Sequence, residues 1–193
     1  MAIKNKLIHD EILISEYNYI ANTAFQANED RSRVTSFYFV STGSLIAAIF
    51  GTQFAASQVK NVSPAFFILF LVLTILGALT IAQLARLRAA WHESVQAMNM
   101  IKDHYINDNP DIAPAFKWRM SSIPSTDKPH SIANLMAVEV ALLGALTTGA
   151  ATYFLMNSIA TMKFITLIPV FVSFPIGYLS LWAWYKHLLI DDQ

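Results

Sequence analysis

Four long runs of apolar residues divide this chain. The runs 35–56 and 64–85 contain no charged residue, the run 131–156 contains one carboxylate, Glu139, and the run 164–186 contains two prolines. Each reaches the roughly 20 helical residues that cross a bilayer core of about 30 Å, and spanning helices tolerate proline where neighbouring groups satisfy the freed carbonyls. The pattern predicts an all-α, polytopic membrane protein with four transmembrane helices.

The positions of lysine and arginine predict which side of the membrane each connection faces. The short connections 57–63 and 157–163 hold one lysine each, whereas the rest of the chain holds eleven Lys and Arg residues. Because positive residues concentrate on the cytoplasmic side, we expect both termini in the cytoplasm and the protein in the cell (inner) membrane. Aromatic residues at the cytoplasmic ends of the first and fourth spans fit a belt at the lipid headgroups: Tyr38, Trp182, Trp184 and Tyr185.

The amino-terminal arm, 1–34, has a helical pattern that runs into the first span without a break. No Gly or Pro precedes Gly43. Apolar positions recur along one helical face, and they include Ile3, Leu7, Ile14, Tyr17, Ala21 and Ala24. We therefore expect a single helix, from about Leu7 to Phe54, that contains the arm and the span.

The second span continues in the same way into the segment 86–106. No Gly or Pro lies between Gly77 and Pro110, and an apolar seam consists of Leu84, Leu87, Trp91, Val95, Met98, Ile101 and Tyr105. We expect the first two helices to extend into the cytoplasm as an antiparallel helical stalk. The alternative is that each extension lies flat on the membrane surface, which is less favoured because basic residues do not line one face.

The segment 107–130 differs from both halves that it connects. It contains four prolines and clustered polar residues, a composition typical of an irregular connector. Its fragment AFKWRM mixes aromatic and basic side chains, and a solvated loop is favoured there over contact with the membrane interface. After the fourth span a short tail, 187–193, is expected in the cytoplasm.

Composition excludes several classes of function. Hydrophobic residues make up 55% of the 193 and charged residues 13%, against about 25% charged in soluble domains. The net charge is zero, which disfavours a nucleic-acid binder with a broadly basic surface. The chain has no cysteine, hence no thiolate ligand or nucleophile. Without a helical zinc spacing, a phosphate-binding glycine loop or a nucleophile elbow, we expect no enzyme, no cofactor and no metal site.

Small residues recur at every fourth position in two of the spans. In the third span the stripe consists of Ala133, Ala137, Ala141, Ala145 and Gly149, and in the first span it consists of Gly43, Ala47, Gly51 and Ala55. Small side chains let membrane helices approach closely. These two helices are therefore the candidates for tight packing, within one subunit or between subunits.

Glu139 is the candidate functional residue of the membrane region. An acidic side chain inside a span costs about 2.5–3.5 kcal/mol on insertion scales and is by default a hypothesis of function. At about 1.5 Å per residue, it lies about 12 Å beyond Ser131, a depth at which Tyr178 or Thr42 could donate a hydrogen bond to it. The alternatives are a protonated carboxyl that holds helices together, a polar lining of a pore, and a proton-accepting site.

The first half, about 10–105, resembles the SLATT-type membrane modules that accompany bacterial nucleotide-signalling and conflict systems. The resemblance is in the layout of entry helix, span, turn, span and long exit helix, in the run ANEDRSRVTSFYF before and into the first span, and in the exit run LARLRAAWHESVQAM. The second pair of spans lies outside it. The resemblance implies an oligomer that perturbs or perforates the membrane when a partner signals.

Three hypotheses of function follow from these patterns. The leading one is a homo-oligomer that forms a channel-like or membrane-perturbing assembly, with a stalk that senses or binds a cytoplasmic protein partner. The alternative is a non-conducting accessory or scaffold subunit of a larger membrane complex. The third is a proton-coupled carrier that uses Glu139.

Overall fold

The computed structural model describes residues 2–51, 59–159 and 164–191 of the chain. Four α-helices account for most of them: α1, Ala2–Gly51; α2, Val59–Asp108; α3, Ile132–Ile159; and α4, Ile168–Asp191. Three short 3₁₀ helices lie at Pro110–Ala115, Met120–Ser122 and Phe164–Leu167. These ranges contain no β-strand, so the prediction of an all-α fold is confirmed.

Three of the described helices, α2, α3 and α4, are long and apolar enough to cross a membrane. The first predicted span, 35–56, ends among residues 52–58, which lie outside the described residues, although 35–51 belong to α1. The crossing by α1, and with it the count of four, stays a prediction.

Helices α1 and α2 are each 50 residues long. At about 1.5 Å per residue each measures about 75 Å, more than twice the thickness of a bilayer core. The two pack side by side in opposite directions, from Tyr38 against Gly77 to the far end, where Tyr105 Oη donates a hydrogen bond to Asp10 Oδ1 at 3.4 Å. Near that end Lys102 Nζ lies 5.9 Å from the centre of the Tyr17 ring.

The boundaries of α2 and α3 follow local contacts. Helix α2 begins before Pro64, the expected start of the second span, so this proline lies in the second turn and not in the first turn, where proline is tolerated best. The earlier start buries Ser63, whose Oγ accepts a hydrogen bond of 2.7 Å from Asn157 Nδ2 of α3. At the other end of α3, Ser131 caps the helix, because its Oγ accepts the N–H of Asn134 at 3.2 Å.

The bundle is organised around α2 and α3, which pack most extensively against each other, while α4 packs mainly against α3 and α1 mainly against α2. The small-residue stripe of α3 is buried in this packing: Ala133, Ala137, Ala141, Ala145 and Gly149. The stripe of α1 is placed differently, since Gly43, Ala47 and Gly51 are exposed. Within the protomer the two stripes therefore do not pack together, and a contact between subunits stays a prediction.

The connector lies along the second half of α2 and reaches the last two turns of α4. Arg119 Nε lies 3.5 Å from Asp103 Oδ1 of α2, Arg88 of α2 donates hydrogen bonds to connector carbonyls, and Asp127 pairs with Lys186 of α4. Trp118, in the fragment with aromatic and basic residues, is largely exposed. The connector is thus anchored at three points along an otherwise irregular path.

Candidate functional site

Glu139 lies on an exposed face of α3. Its neighbours on this face are apolar and exposed at spacings of three and four residues: Ile132, Leu135, Leu142 and Leu146. Among the residues that the structure describes, none makes a hydrogen bond or an ion pair with Glu139. A single carboxylate therefore interrupts an apolar, lipid-compatible surface of the protomer.

The burial of the small-residue stripe fixes this orientation. Residues two apart on an α-helix differ by about 200° in direction, so a residue between two buried positions of a four-residue repeat points to the opposite side. Ala137 and Ala141 are both fully buried, and Glu139 lies midway between them. The close packing of α3 inside the bundle directs the carboxylate outward.

The structure does not bring the three predicted polar residues together. Thr42 is fully buried on α1, Tyr178 is half-buried on α4, and Glu139 is exposed on α3. No hydrogen bond among the described residues joins any two of them. The spacing along the sequence predicts the depth of each residue, but it does not predict the rotation of its helix.

A cluster of hydroxyl groups lies inside the bundle instead. Tyr38, expected at the headgroup belt, is buried with 1% of its surface exposed. Its hydroxyl lies beside those of Thr42 and Thr147, although neither Tyr38 nor Thr42 is in hydrogen-bonding geometry with any described group. Thr147 itself donates to the carbonyl of Gly144 at 2.9 Å. Tyr185, also expected in the belt, is 1% exposed, so the belt prediction is wrong for both tyrosines.

Two buried arginines, one on α1 and one on α2, lie close enough to influence each other electrostatically. Arg31 of α1 is 8% exposed and Arg88 of α2 is 5% exposed, and Tyr185 of α4 lies beside both. The burial of Arg31, and then the charge of Arg88, lower the pKa of the Arg31 guanidinium from its ordinary value. This arrangement places two like charges in one poorly solvated position.

The partners of the two arginines differ. Arg88 Nε donates to the carbonyl of Thr126 at 3.1 Å, Nη2 donates to the carbonyl of Ser125 at 3.4 Å, and the guanidinium stacks 4.5 Å from the centre of the Trp91 ring. Arg31 makes no hydrogen bond or ion pair with any residue that the structure describes, and its Nε is buried. Neither arginine has a carboxylate partner within that part of the chain.

Sequence reasoning missed this pair because it used the arginines only to predict orientation. A signal was present on α1, where buried residues follow one another at spacings of three and four: Ala24, Ala27, Arg31, Thr35, Tyr38 and Thr42. This seam continues the apolar face of the arm directly through Arg31. A charged residue within such a seam is unusual, because buried charges require partners.

Residues 2–51, 59–159 and 164–191 contain no cluster of three or more His, Asp or Glu side chains that could hold a metal ion. Comparisons of this chain with protein-family models, with curated proteins and with solved structures find no match. The interpretation of function therefore depends on Glu139 and on the arginine pair.

Proposed function

We propose that this protein is a self-assembling integral membrane protein that crosses the bilayer four times, with both termini in the cytoplasm. In this proposal its copies meet through the face of α3 that bears Glu139, and the assembly is channel-like or perturbs the membrane. The single observation that carries the proposal is the exposure of Glu139 within an otherwise apolar helix face.

The energetic reason is the cost of a carboxylate that faces lipid. On insertion scales an acidic residue in a span costs about 2.5–3.5 kcal/mol. The neighbours of Glu139, which include Leu135 and Leu142, are 50% and 43% exposed and present a complementary apolar seam to another helix. Contact between copies would remove both the leucines and the carboxylate from lipid.

A ring of copies would also give Glu139 a function. Symmetry places identical carboxylates at one depth around an axis, and rings of acidic side chains select cations in channels. The extended halves of α1 and α2 form the stalk in this proposal, and a cytoplasmic protein partner would act through them. The resemblance of the first half to SLATT-type modules is consistent with such an assembly.

Cross-linking tests the proposed interface. The chain contains no cysteine, so Leu142→Cys introduces a unique thiol on the Glu139 face, and Ile75→Cys introduces one on α2. Both native side chains are exposed, at 43% and 53%, which makes the second variant a matched control. We expect dimers of the Leu142→Cys chain in native membranes and none of the Ile75→Cys chain. Equal cross-linking of both variants, or of neither, would reject the interface.

Ion flux in reconstituted vesicles tests the channel. We expect a cation-selective conductance from the wild-type protein and a loss of that selectivity in Glu139→Gln, with the mass of the assembly unchanged. Glu93→Gln is the control, because Glu93 is exposed on the cytoplasmic half of α2. An unchanged selectivity in Glu139→Gln would remove the carboxylate from the conduction path.

The second candidate is a non-conducting accessory subunit of a larger complex. The open small-residue face of α1 favours it, because a Cβ at Gly43 or Gly51 would meet nothing within 4 Å and a partner helix fits such a surface closely. A purified complex that contains another protein and conducts no ions would support this candidate over the first. The proton-coupled carrier gains no support, since Glu139 has no described proton-donating partner.

A further inference from the structure

The arginine pair has no described counter-charge. Arg88 directs its hydrogen bonds to the neutral carbonyls of Ser125 and Thr126. Asp127, a carboxylate close to Tyr185, is paired with Lys186. Arg31 has no partner among the described residues, although it is buried, with only 8% of its surface exposed. Two positive charges are thus buried where the described protein supplies no anion.

Such an arrangement is costly unless an anion binds there. Removing a charged group from water is favourable only when an opposite charge and hydrogen bonds replace the lost solvent. The side chains of Arg31 and Arg88 come from two different helices, and their guanidinium groups repel each other. An anion with several oxygen atoms would satisfy both groups at once.

The position of the pair identifies the class of anion. Arg31 precedes the first predicted span, 35–56, by four residues, and Arg88 follows the second, 64–85, by three. In the four-span topology of the proposed function, on which this step rests, both lie at the depth of the lipid headgroups on the cytoplasmic side. Guanidinium groups bind phosphate oxygens through paired, charge-assisted hydrogen bonds, and phosphate is the common anion at this depth.

We propose that Arg31 and Arg88 together bind one phosphate group at the cytoplasmic boundary of the membrane. The group belongs to a phospholipid headgroup or to a soluble phosphate compound. The first source has a physical basis in a neighbouring groove of about 350 Å³ between α1 and α2, which Val34, Phe37 and Leu79 line. This groove begins at Arg33, two residues beyond Arg31, and continues toward the centre of the predicted span, where an acyl chain would lie.

The test uses the full chain, purified in neutral detergent without phosphate. Its unfolding temperature is measured with increasing inorganic phosphate and, separately, with dihexanoyl phosphatidylglycerol. Sodium chloride of equal ionic strength and dihexanoylglycerol are the matched controls. We expect a saturable rise of about 4 °C or more, since a ligand that binds only the folded state raises its stability. A rise that is larger with the lipid than with inorganic phosphate identifies the headgroup, and an equal rise with both probes, or a rise with inorganic phosphate alone, identifies a soluble phosphate.

Variants show whether the arginines are responsible. In Arg31→Gln and Arg88→Gln the rise should disappear. In Arg86→Gln it should remain, because Arg86 lies at an exposed position of α2, two residues before Arg88. In preparations without phosphate or bound lipid, Arg31→Gln should unfold at the wild-type temperature or above it, because the substitution removes an uncompensated buried charge. That result also demonstrates that the variant folds.

Native mass spectrometry of the same preparations detects phospholipid that stays bound to the protein through purification. A phospholipid adduct on the wild-type chain that is missing from Arg31→Gln supports the proposal. The proposal is overturned if the wild-type chain shows neither an adduct nor a saturable rise. It is equally overturned if Arg31→Gln responds to both probes as the wild type does, or if it unfolds well below a wild-type chain that carries no adduct in phosphate-free detergent.

Discussion

The hydroxyl of Tyr38 occupies the space that a side chain at Gly77 would need. A Cβ placed on Gly77 would lie 2.6 Å from Tyr38 Oη and 3.0 Å from Cζ of the same ring. Tyr38 is buried to 1% exposure, so its ring has little room to move. The approach of α1 to α2 at this level of the bundle therefore depends on the absence of a side chain at one position.

Gly77→Ala should destabilise the protein by about 1–3 kcal/mol, the usual cost of overpacking a core. Gly43→Ala is the control on α1, because its Cβ would meet nothing within 4 Å and alanine has the higher helix propensity. The unfolding temperatures of both variants in detergent measure the difference. Adding Tyr38→Phe to Gly77→Ala should restore part of the loss, since it removes the closer of the two atoms. Equal stability of the two single variants would contradict the proposed contact.

Tyr38→Phe alone should leave stability unchanged or raise it by about 1 kcal/mol. The Tyr38 hydroxyl is buried without a hydrogen-bond partner among the described groups, and an unsatisfied buried polar group is costly. Tyr185→Phe provides a comparison at a second buried tyrosine of the same cluster. If thermal unfolding showed that Tyr38→Phe lowers stability by about 1 kcal/mol or more, the hydroxyl would have to donate a stabilising hydrogen bond to Thr42 or Thr147.

The sequence predicts the lengths of the helices well because they depend on local signals. The absence of Gly and Pro from the arm and from 86–106 predicts two long helices, which the structure has as Ala2–Gly51 and Val59–Asp108. The burial of the α3 stripe also follows a local pattern. Because Glu139 lies midway between two residues of that stripe, the same pattern predicts that its side chain points outward. Only the step from equal depth to contact with Tyr178 lacked a physical basis.

The rotation of α1 depended on residues far away in the sequence. Its small-residue face, with Gly43 and Ala47, and its seam through Tyr38 are both regular, and only one of them could face the bundle. The seam does, because Gly77 of α2 and Gly144 of α3 leave space around the Tyr38 hydroxyl. The arginine pair could not be predicted for the same reason, since each arginine alone resembles an ordinary positive residue at the end of a span.

His92 should make stability depend on pH. It lies on α2 beyond the predicted span 64–85. Burial, and then the charge of Arg88, lower its pKa from the ordinary value of 6.5, while the Pro124 carbonyl and Glu93 act in the opposite direction. The unfolded chain therefore binds a proton more readily than the folded chain. Stability is unaffected above pH 6.5, falls as the pH decreases through 6.5, and reaches its full loss below the lowered pKa.

Unfolding temperatures between pH 7.5 and pH 5 measure this effect. Because other groups titrate in the same range, the informative quantity is the difference between the wild type and His92→Gln. We expect the variant to lose less stability at low pH than the wild type, and His104→Gln, at an exposed position of α2, to follow the wild type. A parallel decline of all three proteins would mean that protonation of His92 does not affect folding.

The hydrogen bond between Asn157 and Ser63 should couple the far ends of α2 and α3. Its length is 2.7 Å and the Ser63 side chain is fully buried, at the end of the bundle opposite the arginine pair. Interhelical hydrogen bonds in membrane proteins contribute about 0.6 kcal/mol on average and about 1.7 at most. A double-mutant cycle with Ser63→Ala and Asn157→Ala should give a coupling energy in this range. Among the described residues Thr152 donates to a carbonyl of its own helix, that of Thr148, so a cycle with Thr152→Ala in place of Asn157→Ala should give none.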